Sequence, residues 1–314
     1  MSGKNVTEVV LANAAGIARA AQILESGGLV AVPTETVYGL AARADNSEAV
    51  AKIYAAKGRP DFNPLIVHVR DMEQAARFGE FSPTALALAD AHWPGPLTLV
   101  VPRRVDAGLA HAVTAGLPTI ALRAPAHPVM RALLEVVAFP LAAPSANRSG
   151  YISPTTPAHV LASLDGRIDL VLDGGACSAG VESTIVAVRA DGSIAELRPG
   201  PLQIGLQICG QAAAGGNGAR IEAPGQLASH YAPGKPVRLN ATHAEADEFW
   251  IGFGAVQGDC TLSVGGDVSE AAARLYACLH EAANAPHPRI AIAPVPEMGV
   301  GRAINDRLRR AAAD

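Results

Sequence analysis

Leu29-Val30-Ala31-Val32-Pro33-Thr34-Glu35-Thr36-Val37-Tyr38-Gly39-Leu40 passes from a wholly apolar run into a polar turn. Four apolar residues in a row, following Gly27-Gly28 and running into Pro33, read as a short buried strand. Upstream, Val10, Ala14, Ile17, Ala21 and Leu24 recur at spacings of four and three, which predicts a helix over 7–25 with the glycine pair as its stop. A helix, a strand and then a polar turn is an α/β opening, and polar groups just after a strand are where such folds place ligands.

Working outward, Ser47 and Glu48 start a second helix with Ala49, Val50, Ile53 and Tyr54 on its buried face and Gly58 at its end. Lys57 then falls in the last turn and Arg59 just beyond it. Residues 64–69 read as a strand in which His68 stands among apolar neighbours. Further strands are predicted at 97–102, 119–123, 140–143, 169–172, 183–188 and 194–198, with helices at 72–78, 83–91, 127–137 and 156–164. Strands outnumber helices, so residues 1–210 are expected to form a twisted, mixed, open α/β sheet with flanking helices. Residues 211–236, rich in Gly and Pro, read as a linker. Beyond it, strands at 237–239, 251–255, 261–264 and 289–293, with helices at 243–249, 269–284 and 298–312, predict a small parallel α/β, Rossmann-like domain over 237–314.

Composition narrows the function. The 314 residues suffice for two domains, and 49% hydrophobic against 17% charged residues excludes a disordered chain. A net charge of −4 argues against a dedicated nucleic-acid binder. Cys177, Cys209, Cys260 and Cys278 have neither metal-ligand spacing nor a disulfide framework and read as buried free thiols of a reducing compartment. With no basic-then-apolar leader and no apolar run of about 18 residues, the chain is expected to be cytoplasmic.

Five polar clusters interrupt the first domain: Thr34 to Tyr38, Lys57 to Asn63, Thr119 with Arg123, Ser145 and Asn147 with Ser153, and Glu182-Ser183-Thr184 with Arg198. Singly, each has a bland explanation. Hydroxyls of the first can bond their own backbone, Lys57 and Arg59 can complement a helix C-terminus, and a histidine in a strand is commonly a satisfied core residue. Together, cations, hydroxyls and an amide beside tight turns suit a phosphate ester and a carboxylate. No Walker-type phosphate loop, dinucleotide fingerprint or nucleophile elbow is present, which weighs against NTPase, Rossmann dehydrogenase and acyl-transfer readings.

Residues 33–40, Lys57-Gly58-Arg59-Pro60, Asn63-Pro64-Leu65 with His68, Trp93 to Thr98, Arg123-Ala124-Pro125, Pro144 to Asn147 and Ser183-Thr184 closely resemble the YrdC-like family. Ser229-His230-Tyr231-Ala232-Pro233 and the C-terminal unit resemble its two-domain branch. The resemblance implies synthesis of L-threonylcarbamoyladenylate and pyrophosphate from L-threonine, bicarbonate or CO2, and ATP, the product passing to a separate transferase that modifies tRNA beside the anticodon. It implies that Thr36, His68, Arg123 and Ser183 bind threonine. Lys57, Arg59, Asn63, Thr119, Ser145, Asn147, Ser153 and Arg198 would face ATP, with Lys57 and Arg59 assisting catalysis, Tyr231 closing the pocket and Mg2+ arriving with the triphosphate. Replacing Lys57 or Arg59 is expected to stop turnover and leave melting nearly unchanged. The competing readings are a double-stranded RNA-binding module and a carbamoyl-adenylate-forming carbamoyltransferase.

Overall fold

A computed structural model describes residues 6–204, 222–226 and 230–313. The first unit runs β1 (Glu8–Leu11), α1 (Ala14–Glu25), β2 (Val30–Val32), β3 (Gly39–Arg43), α2 (Ser47–Lys57), β4 (Ile66–His68), α3 (Met72–Ala75), α4 (Pro83–His92), β5 (Leu97–Pro102), α5 (His111–Thr114), β6 (Thr119–Arg123), α6 (Pro128–Val136), β7 (Leu141–Ala142), α7 (Pro157–Leu164), β8 (Leu170–Asp173), β9 (Thr184–Val188) and β10 (Ile194–Arg198). The second runs β11 (Val237–Arg238), β12 (Glu248–Gly252), β13 (Cys260–Thr261), α8 (Val268–Asn284), β14 (Arg289–Ile292) and α9 (Gly301–Ala311).

The first sheet is mixed as expected, in the order β1-β8-β2-β3-β7-β4-β6-β5-β9-β10. Parallel pairs (β4 with β6, β5 with β9) sit among antiparallel ones (β3 with β7, β5 with β6). Side chains alternate across it. Val67 and Leu122 pack into the larger apolar core with Leu40, Ile53 and Leu99, whereas Ile66 and Ala121 face the opposite side. The second sheet is parallel, in the order β11-β14-β12-β13, with α8 and α9 against it. Its core continues into the first unit: Val37, Ile152, Val181 and Tyr231 join Tyr276, Leu279, Ile304 and Leu308 in one apolar cluster.

Four expectations are corrected. The N-terminal helix does not begin at residue 7: Glu8–Leu11 pairs with β8 as a strand, and the Asn13 side chain, accepting from the Gly16 amide, starts α1 there. Asn46 rather than Ser47 caps α2, accepting from the Ala49 amide. No helix forms over 243–249. There Glu248 binds the Glu245 amide and Arg238, and Phe249 and Ile251 are buried at strand spacing in β12. Finally, Cys260 and Cys278 form a disulfide with Cα atoms 5.8 Å apart. The chain reverses through α8 to bring them together, so their separation of 18 residues gave no signal. Cys177 is a buried free thiol as expected, whereas Cys209 and the Gly-rich part of the linker lie outside the described residues. Among the described residues no helix is long and apolar enough to cross a membrane.

Candidate functional site

The turn after β2 is organised by Thr34. Its Oγ1 donates to the Val37 carbonyl (2.7 Å) and accepts from the Thr36 and Val37 amides (3.1 and 3.2 Å). Its one proton being committed there, Thr36 is the donor across the 2.8 Å hydroxyl pair. Thr36 Oγ1 in turn accepts from Arg123 Nη1 at 3.0 Å. The bland and the functional readings of this motif therefore both hold, one for each threonine.

Arg123 is the last residue of β6 and stands opposite His68 on β4. Its Nε donates to the Gly95 carbonyl (3.2 Å) and its Nη2 to Glu35 Oε1 (2.6 Å). Together with the bond to Thr36, this uses three of the five guanidinium N–H groups. Two are left for a ligand carboxylate. Burial by itself would raise the Glu35 carboxyl, but Arg123 overcomes that and keeps it below its ordinary value. Burial, reinforced by Arg123, pushes His68 down to about 3, so its ring is neutral. Its Nδ1 is buried without a partner. A neutral imidazole beside a guanidinium can accept a hydrogen bond from an amine or a hydroxyl.

The opposite wall starts at the end of α2. Gly58 takes the left-handed conformation (φ +59°) that ends the helix, and Lys57 turns inward. Lys57 Nζ donates to the Ser145 and Asn147 carbonyls, each at 2.5 Å. Burial and Arg59 both depress its pKa. Asn147 Nδ2 donates to the Arg148 and Tyr151 carbonyls (both 2.8 Å), so Lys57 and Asn147 together brace the 145–151 loop. Arg59 binds the Asn63 and Pro64 carbonyls (3.3 and 3.0 Å) and is pushed down to about 10, chiefly by burial. Asn63 Oδ1 is buried and unpaired.

Ser183 and Arg198 form the third side. Arg198 Nη2 reaches Ser183 Oγ (3.1 Å) and carbonyl (3.0 Å), while Ser183 Oγ shares a 2.8 Å bond with Thr98. Beside them Glu182 is buried. Burial would raise it, but Arg307, Arg198 and the Ser153 hydroxyl (2.5 Å) hold it down to about 2.

These walls enclose a cavity of about 50 Å3 over the face of the first sheet. Thr36, His68, Arg123 and Ser183, expected to bind threonine, line it together with Arg59, Ser145 and Arg198, expected to face ATP. Tyr231 covers it, 1% exposed and in the left-handed region at φ +65°, a strained conformation for a bulky residue. Neighbouring backbone holds the strap down: the His230 amide binds the Arg310 carbonyl (3.2 Å) and the Ala232 amide the Gly150 carbonyl (2.8 Å). Gly225 (φ +85°) lies so close that a Cβ there would stand 3.0 Å from Arg198 and 3.2 Å from the Tyr231 hydroxyl.

Of the residues expected from the sequence, Lys57, Asn63, Asn147 and Ser153 stand directly behind this wall, bonded to it or to its loops. Thr119 is not brought there: it begins β6, opposite Pro102, about 13 Å along the strand from Arg123. Thr34, Glu35, Glu182 and His230 were named in the sequence's polar clusters and motifs without a role of their own: Thr34, Glu182 and His230 line the cavity and Glu35 reaches it through Arg123, whereas Tyr276 and Arg307 were not singled out at all. Arg307 did leave a signal. It stands with Ile304, Leu308 and Ala311 on the apolar stripe of α9, where a surface arginine does not belong. No cluster of three or more His, Cys, Asp or Glu side chains able to hold a metal occurs among the described residues, and both the lining carboxylate Glu182 and the adjacent Glu35 are already bonded.

Residues 22–200 match the family model described as telomere recombination, Sua5/YciO/YrdC, and residues 194–313 match the model described as the threonylcarbamoyl-AMP synthase C-terminal domain. The chain is 39% identical to the threonylcarbamoyl-AMP synthase of Bacillus subtilis strain 168, over 98% of this chain and 96% of that one. The crystal structure of P. abyssi Sua5 complexed with L-threonine matches with a TM-score of 0.87 and 35% identity, over 98% of this chain and 97% of that one. A variant of P. abyssi Sua5 with a His and the adjoining Tyr both changed to Ala gives 0.88 and 34%, over 98% and 96%. Both family models and the full-length similarity agree: the chain belongs to the Sua5/YciO/YrdC family, in the two-domain form that carries the Sua5-type C-terminal domain.

Proposed function

We propose that this chain makes L-threonylcarbamoyladenylate and pyrophosphate from L-threonine, bicarbonate-derived CO2 and ATP. The observation that carries the reading is the convergence of Arg59, Arg123 and Arg198, from three separate parts of the first unit, on one small cavity that also holds a neutral histidine. The threonine carboxylate pairs with the two unused N–H groups of Arg123, and His68 accepts from its amine or hydroxyl. The neutral amine attacks CO2, forming the C–N bond of an N-carboxylate, and the proton it sheds joins the hydroxide left when bicarbonate gives CO2, as water. An oxygen of that carboxylate then attacks the α-phosphorus as the bond to pyrophosphate breaks. Neither step needs an enzyme nucleophile, so orientation and cationic stabilisation carry the rate. Arg59 and Arg198 face the triphosphate, while Lys57, Asn63, Asn147 and Ser153 fix the loops that present them.

Mg2+ enters with ATP, held by phosphates and water, because the cavity offers it no uncommitted carboxylate. Both the carbamate and the adenylate decompose in water, and the Tyr231 strap excludes it. A cavity of about 50 Å3 has no room for a nucleotide, so the strap lifts for entry and release. The product is an activated acyl donor, handed in the cytoplasm to a separate transferase that acts on tRNA. The test is incubation with 13C-bicarbonate, threonine and ATP followed by mass spectrometry. A labelled threonylcarbamoyl-AMP is expected, and ATP consumption without that species would refute the reading.

A further inference from the structure

The chemistry described so far rests on the first unit, yet the second reaches the same cavity. We propose that Tyr276 and Arg307 are positioning residues for the ATP side: they fix Glu182 and cancel its charge, so that the triphosphate meets Arg59 and Arg198 without an opposing carboxylate. The inference rests on the reading above that ATP binds in this cavity.

Glu182 stands in the cavity wall beside Ser183 and Arg198, and none of its oxygens is free. Oε1 accepts from Ser153 Oγ (2.5 Å) and the Tyr276 hydroxyl (3.0 Å), and Oε2 accepts from the same hydroxyl (2.8 Å) and from Arg307 Nε (2.8 Å). Tyr276 comes from α8 and Arg307 from α9, so two helices of the second unit grip one side chain of the first. Arg307 is fully buried, its Nη1 held by Asp306 Oδ2 at 2.7 Å and its Nη2 without a partner. The same two side chains seat the strap: the Tyr231 ring stacks on Tyr276 with centroids 5.8 Å apart and lies 5.4 Å from the Arg307 guanidinium.

The backbone is shaped for this contact. Gly180, at φ +71°, leads into Glu182, and a Cβ there would stand 2.2 Å from the Ala272 carbonyl oxygen of α8. Only glycine lets the loop lie this close. One turn beyond Tyr276, His280 meets the Ser153 carbonyl at 3.2 Å, so both partners in the Ser153–Glu182 bond are braced by α8. A buried carboxylate stripped of its cation repels an anionic ligand strongly, because little water screens it.

The test measures ATP affinity in the intact chain without threonine or bicarbonate, together with steady-state kinetics. Arg307→Met is expected to weaken ATP binding at least tenfold and to raise the ATP KM in step. Threonine affinity without ATP should stay within twofold, and kcat at saturating ATP within threefold. Adding Glu182→Gln to Arg307→Met removes the stranded charge and should restore ATP affinity to within threefold of wild type, which lost packing alone would not allow. Tyr276→Phe keeps the ring stack and should weaken ATP binding in the same direction by a smaller factor. It carries the test, again with and without Glu182→Gln, if Arg307→Met gives no cooperative melting transition. Wild-type ATP affinity in both single variants, or no recovery on adding Glu182→Gln, overturns the clamp while leaving the synthase reading intact. A wild-type chain that does not bind ATP overturns both.

Discussion

Two carboxylate–arginine pairs border the cavity, one of them partly exposed at Glu35, and they are built for different ends. Glu35 and Arg123 belong to one unit, and the guanidinium retains two N–H groups that a ligand can use. Glu182 and Arg307 join two units, and there it is the carboxylate that is saturated, by three separate side chains. The first pair keeps unused donors for a substrate; in the second the carboxylate that lines the cavity is saturated, and the unpartnered Nη2 belongs to Arg307, which does not line it. An ion pair beside a cavity therefore says little until its unused donors and acceptors are known.

The contrast can be broken most sharply at Arg123. Arg123→Met should weaken threonine binding at least a hundredfold, about 2.7 kcal/mol, measured by calorimetry, with ATP affinity little changed. Equal losses for both substrates would erase the division of the cavity into two sides. Next comes the scaffold behind the pairs. Lys57→Met leaves the Ser145 and Asn147 carbonyls without their donor and should cost about 2 kcal/mol in chemical denaturation as well as activity. That revises the sequence-based expectation of unchanged melting. Full stability with lost turnover would return Lys57 to a purely catalytic role.

A smaller effect comes from the histidines, His68 at the first pair and His230 near the second, both pushed down to about 3 by burial. The unfolded chain takes up a proton below about pH 6.5 that the folded chain refuses. Their contribution is therefore full above pH 6.5 and is lost as pH falls toward 3, at up to about 1.4 kcal/mol per unit for each ring. His68→Asn and His230→Asn should each flatten the acid side of the stability curve, and unchanged curves would mean that the rings are not buried neutral. Least of all, Glu35→Gln should tighten threonine binding by no more than about threefold, since it removes the carboxylate that shares Arg123 with the ligand. Loss of binding instead would make Glu35 a required part of the threonine site.

Much of this molecule could be read from local pattern. Residues 97–102 and 194–198 are strands with the bounds expected: the first is an almost wholly apolar run that ends at Pro102, and the second is a short segment bounded by Asp191-Gly192-Ser193 and Pro199-Gly200. The threonine corner was legible because His68 and Arg123 end otherwise apolar strands and Thr36 stands in the polar turn just after one. Long-range geometry was not legible. Thr119 looked like Arg123 in sequence yet sits at the other end of the same strand, and Cys260 meets Cys278 only because α8 doubles back. Glu8–Leu11 satisfied a helical spacing but found a strand partner in β8, and pairing prevailed. Arg307 was hidden for a different reason: its partner lies 125 residues away in another unit, and only its place on an apolar stripe betrayed it.

The central claim is that one cavity brings threonine, CO2 and ATP together without an enzyme nucleophile. Pyrophosphate release from ATP, followed with threonine and bicarbonate supplied together and then each withheld, tests it most directly. Release is expected only when both are present, and is expected to be lost in Arg123→Met. Release that continues unchanged without threonine would contradict it.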